Sequence, residues 1–100
     1  QYARWSDAVS GIGHEFKTYK KYKVSGVGYK SKDGLMTIFI TMKMKSTDKE
    51  AVSHATDLYT MAEEFIKSDE IWPKVKQDPY RIVVRTKDKK EFNTDEKQFN

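Results

Sequence analysis

The sequence predicts a small α+β domain, with an antiparallel sheet of three to four strands and two helices in the order α-β-β-α-β(-β). Three observations lead there. Apolar residues recur every three or four positions over residues 2–20 and again over 47–69, the period of an amphipathic helix. Residues 35–45 alternate apolar and polar with a period of two, the mark of a half-buried strand. Between residues 21–31 and 35–45 stands Asp33-Gly34, a pair suited to the tight turn of a hairpin.

In the first helix Tyr2, Trp5, Val9, Ile12, Phe16 and Tyr19 share one face. Gly11 and Gly13 interrupt it, each costing roughly 1 kcal/mol relative to alanine in a helix interior. Tyr19 and Tyr22 are expected to tuck inward where the helix gives way to the first strand. In that strand Tyr22 and Val24 share a face with Gly26 and Gly28, and glycines at such positions suggest a bulge or a side chain crossing bare backbone. The second strand puts Met36, Ile38, Ile40, Met42 and Met44 on one face and Leu35, Thr37, Phe39, Thr41, Lys43 and Lys45 on the other.

The second helix opens on Thr47 to Glu50, which fits a capping box, with Asp48 at the positive end of the helix dipole. Ala51, Ala55, Leu58, Ala62 and Phe65 continue as an apolar stripe, and Pro73 stops further helix. Residues 71–79 read as a connection around Trp72. Residues 80–87 read as a third strand, with Tyr80, Ile82 and Val84 on one face and Arg81, Val83 and Arg85 on the other. Residues 91–93 fit a short fourth strand, and the tail from Thr94 is expected to fray. Residues 1–100 are read as one domain, since no linker, repeat or low-complexity tract divides them.

Composition narrows the function classes. The chain has no cysteine, which excludes disulfides, iron–sulfur clusters and thiolate zinc sites. No apolar run approaches the ~20 residues of a membrane helix. Net charge is +4, unevenly spread: residues 48–70 carry seven acids against two lysines, so that the remainder holds +9. Sixteen of the nineteen basic residues are lysine, hydrated point charges better suited to diffuse attraction than to planar, bidentate recognition.

No pattern of residues carries recognisable chemistry. His14 and His54 stand on separate helices, and a metal site needs three or four convergent ligands. Glu63-Glu64 and Asp69-Glu70 are neighbours that point apart on a helix, the expected look of a solvated face. Gly11-Ile-Gly13 and Gly26-Val-Gly28 lack the third glycine and the strand-to-helix setting of a phosphate loop. No catalytic residue, cofactor or metal is assigned.

The one constellation worth a test is the second sheet face. Phe39 lies there, with Arg81 and Arg85 if the third strand joins the same sheet, Tyr29 and Val27 from the first strand, and Lys43 at the border. Aromatic rings flanked by cations on a sheet are how single strands of nucleic acid are stacked and steered. The favoured arrangement is plainer: the first helix, needing a partner for its apolar face, covers Leu35 and Phe39 and leaves Arg81 and Arg85 as a rim.

The expectation is a non-enzymatic interaction or accessory domain. It would dock a protein partner, or a second copy of itself, by charge complementarity. Its lysine-rich, cysteine-free composition and a first residue other than Met suggest part of a larger exported or membrane-tethered bacterial protein at the cell envelope. The alternative is single-stranded nucleic-acid binding through the open sheet face.

Overall fold

The structure is a computed structural model and describes residues 2–94 and 98–99. Helix α1 spans Tyr2–Thr18, and strands β1 (Val24–Lys32) and β2 (Leu35–Met42) form a hairpin. Helix α2 spans Ala51–Ile66, a short helix α3 covers Trp72–Val75, and strand β3 covers Tyr80–Arg85. Strands β4 (Phe92–Asn93) and β5 (Gln98–Phe99) close the chain.

The hairpin follows from local chemistry. Lys32 pairs with Leu35, leaving only Asp33 and Gly34 as the loop. Both have positive φ, 53° and 81°, as the tight turn that matches strand twist requires. The expected irregularity near the glycines is present: the register slips between Val24 and Gly26, making Ser25 the extra residue. Before β1, a single 3₁₀ turn at Lys20–Tyr22 ends on Lys23 in the left-handed region, φ 51°, and redirects the chain. Tyr22 tucks edge-on against Phe16, with ring centroids 5.1 Å apart. Tyr19, expected inward as well, stays exposed.

The sheet is mixed rather than antiparallel. Its order is β1-β2-β3, with β3 parallel to β2. Alternation in the sequence marks a strand but not its direction; the intervening α2 and α3 carry the chain back to the end of the sheet where β2 began, as a parallel crossover needs. Residues 71–79, read as a connection, contain α3, with Pro73 in its first turn, where a missing N–H costs nothing. Helix α2 begins at Ala51, later than expected. Thr47 makes no cap; Asp48 Oδ1 instead accepts from the Glu50 amide at 2.9 Å in the turn that leads in.

After β3, the bridge between Arg85 and Glu91 starts a brief return, and Phe92 pairs with Phe99 across β4 and β5. Within the tail from Thr94, Gln98–Phe99 form paired strand; the rest of that expected frayed segment, residues 95–97 and 100, lies outside the described residues.

All three helices share one side of the sheet, and Tyr80 shows it. Tyr80 pairs with Met36, so it stands on the Met36, Ile38, Ile40 and Met42 face. Trp5 of α1 meets its ring at 5.4 Å and Trp72 of α3 at 6.4 Å, while Glu63 of α2 accepts its hydroxyl proton. One apolar cluster lies between these layers, with Trp5, Ile12, Ile38, Ile40, Leu58 and Val84 among its most buried members. At the rim, Asp78 accepts from Trp5 Nε1 at 3.0 Å and from Arg4 at 3.2 Å, fastening α1 to the entry of β3.

Candidate functional site

The second face of the sheet is open. Along β2 it presents Leu35, Thr37, Phe39 and Thr41. Register adds Lys32, Lys30, Gly28 and Gly26 from β1 and Arg81, Val83 and Arg85 from β3. A Cβ placed on Gly26 or Gly28 would meet no atom within 4 Å. The favoured expectation, that α1 covers Leu35 and Phe39, is therefore overturned. Helix α1 finds its partner on the other face, against Val27 of β1 and Phe65 of α2.

The structure brings Phe39, Arg81 and Arg85 together there. The Arg85 guanidinium carbon lies 4.0 Å from the centre of the Phe39 ring, a stacked cation–π pair. The same guanidinium meets Glu91 at 3.4 Å. Arg81 Nε donates to Thr37 Oγ1 at 3.1 Å, and Thr37 is only 7% exposed. Arg85 thus lies flat over Phe39, while Arg81, exposed, is tied to the sheet through Thr37, and both stand beside an apolar strip of Leu35, Phe39 and Val83.

Tyr29 is not part of this face. It pairs with Ile38, and Val27 with Ile40, so both stand on the helix-bearing side. One residue of strand register decides the matter. In the sequence the glycines at 26 and 28 gave no apolar alternation by which to choose the face of β1. Lys43 lies one residue past β2, exposed, its amide donating to the Lys23 carbonyl at 2.7 Å. A stacking platform for bases needs rings with free faces. Among the described residues this face has Phe39 alone, and Arg85 covers one side of it.

Sequence reading missed a second polar cluster. Glu63, expected on a solvated face, is partly buried, and the hydroxyls of Tyr59 (3.2 Å) and Tyr80 donate to its two oxygens. Lys67 stands 3.7 Å away, one turn along α2. Burial, then the hydrogen bond to Glu63 and its charge, hold the Tyr80 phenol far above the ordinary tyrosine range. The spacing of Tyr59, Glu63 and Lys67 at i, i+4 and i+8 was the available signal. Glu64, its neighbour, is exposed as expected. With both oxygens engaged, Glu63 acts as a strut between α2 and β3.

His54 Nε2 contacts the Tyr22 carbonyl and, facing an acceptor, carries the ring proton on that nitrogen. His14 is exposed on α1. Among the described residues no three His, Asp or Glu side chains converge to hold a metal ion, and no helix is long and apolar enough to cross a membrane.

No family model, curated protein or solved structure matches this chain. The functional reading rests on the geometry alone.

Proposed function

We propose that this chain is a non-enzymatic interaction domain that receives an acidic polypeptide on the open face of its sheet. The observation that carries the reading is the one-sided packing of all three helices. It leaves Leu35, Phe39 and Val83 without a helix over them, beside Arg81 and Arg85, with Lys30 and Lys32 alongside. An apolar strip under planar cations suits a partner that offers apolar side chains among carboxylates, because guanidinium groups bind carboxylates in a paired geometry. The acids of α2 (Asp57, Glu63 and Glu64) stand in the opposite layer, and on this face Glu91 meets Arg85 while Arg81, Lys30 and Lys32 add further positive charge.

The test is a titration of isotope-labelled protein with poly-glutamate at low salt, followed by NMR, beside the same titration with single-stranded oligo-dT. Expected are amide shifts centred on Leu35, Phe39, Arg81 and Val83, weakened by added salt and lost in the double variant R81Q/R85Q. Shifts confined to other surfaces would overturn the reading. Oligo-dT that displaces poly-glutamate from this face would replace it with the nucleic-acid reading.

A further inference from the structure

We infer that the partner joins the sheet as an added strand: an extended segment of alternating acidic and small apolar residues pairs with the outer edge of β1. The inference rests on the proposed acidic character of the partner, and it places the paired segment at the β1 edge, about 14 Å from β3 and its two arginines.

The sheet order places β1 at an edge, and among the described residues no strand lies beyond it. The edge is long, nine residues from Val24 to Lys32. Its polarity follows from the turn. In a two-residue hairpin the flanking residues Lys32 and Leu35 exchange both backbone hydrogen bonds, and hydrogen-bonded pairs then alternate along the ladder. Lys30 and Gly28 therefore aim their backbone groups at β2, while Val27 and Ser31 turn theirs outward. Sheet edges of this kind are where extended peptides add, main-chain bonds giving affinity and alternate side chains giving selectivity.

Beside this edge runs a groove of about 550 Å³ between α1 and β1. Ser6, Ser10 and Gly13 keep the α1 wall low, Val9 and Val27 give the lining an apolar floor, and His14 and Lys17 add basic groups to it. Alternate residues of an added strand, about 6.8 Å apart, would enter this groove, which suits small apolar side chains. The residues between them would emerge on the open face beside Lys30 and Lys32.

Charge selects the occupant. Residues 16–32 hold six lysines (17, 20, 21, 23, 30 and 32) and no acid. A second copy pairing its own β1 here would bring two such segments together, and like charges across a strand pair destabilise it. Lysine on an edge strand is a common guard against self-pairing; the same lysines attract a strand that carries carboxylates. The acids of α2 cannot serve, because they are fixed in a helix.

The experiment uses a fluorescent peptide of alternating Glu and Val, with a Lys and Val peptide as control, and reads polarisation. Wild type is expected to bind the acidic peptide only. Ser31→Pro deletes an outward N–H without touching the β2 ladder and is expected to weaken binding by about tenfold; Ser31→Thr keeps the N–H and binds as wild type. Hydrogen exchange on the wild-type protein gives the same answer without a variant, should S31P fold poorly: the Val27 amide becomes protected when peptide is added. Unchanged binding by a folded S31P, or an unprotected Val27 amide, with loss in R81Q/R85Q, would overturn strand addition and leave the open-face reading standing. An acidic peptide that binds no better than the basic one would remove both.

Discussion

At the scale of single residues, the most informative side chain is one whose partners are distant in sequence. Glu63 has an acidic neighbour in Glu64, and only the spacing of Tyr59 and Lys67 around it sets the two apart in the sequence. Tyr80, in the strand after α3, makes the difference by donating to it across the layer boundary. Pairings of that kind are set by tertiary packing, which is why sequence periodicity located Tyr80 on an inward face yet gave no hint of its acceptor. The pairing has a pH signature. Burial and the Glu63 carboxylate raise the Tyr80 phenol above its ordinary range, favouring the neutral form in the folded state. Unfolded chains release this proton near pH 10. Above that pH the unfolded state binds fewer protons than the folded one, so stability falls as pH rises, while below it the contribution is complete. Tyr80→Phe is expected to lower stability by about 1–2 kcal/mol at neutral pH. It should also flatten the alkaline loss relative to wild type when urea midpoints are compared from about pH 8 to about pH 11. An equal alkaline slope in the two proteins would mean that Tyr80 is not the group responsible.

At the scale of elements, both helices, the hairpin and its turn were legible because each depends on a local pattern: period 3.6, period two, and a pair of residues that tolerate positive φ. The direction of β3 was not, since alternation is the same read either way and only the α2–α3 crossover decides it. Gly11 shows what lies between these cases. On its own it is a weak point in a helix. In the structure it is a contact point, where a Cβ would overlap the Phe65 ring, whose Cε2 lies 2.9 Å from that position. The glycine lets α1 and α2 approach, and no residue near it in sequence announces Phe65. Gly11→Ala gains helix propensity of about 1 kcal/mol but forces the ring aside, and overpacking costs about 1–3 kcal/mol. The single variant should be neutral to destabilised. In a Phe65→Ala background the obstacle is gone, and the same change should stabilise. A double-mutant cycle by denaturant unfolding measures this; simple additivity would show that the two side chains do not compete.

At the scale of the whole molecule, one question decided where function lies: whether the sheet has helices on one face or on both. The sequence supplied the apolar face of α1 and its need for a partner, and Leu35 with Phe39 offered one. What it could not supply was that β1 extends the inward face with Val27 and Tyr29, widening the floor so that α1 and α2 fit side by side on it. Two layers then leave the acids of α2 on one side and the arginines and lysines of the sheet on the other, a separation that suits steering of a charged partner more than self-burial. Adjacent residues of β2 report on this arrangement directly. Ile38 is fully buried between the layers, while Phe39, next in the chain, is half-buried on the other face with the Arg85 guanidinium on its ring. Ile38→Ala should cost about 2–5 kcal/mol, the range for emptying a packed core position. Phe39→Ala removes a half-exposed ring and an exposed cation–π contact worth about 0.5–1 kcal/mol, and should cost far less than its neighbour. Urea unfolding of the two variants compares them at equal exposed surface, with unchanged slopes marking unchanged folds. Equal losses would place a second layer over Phe39 and close the face on which the proposed partner docks.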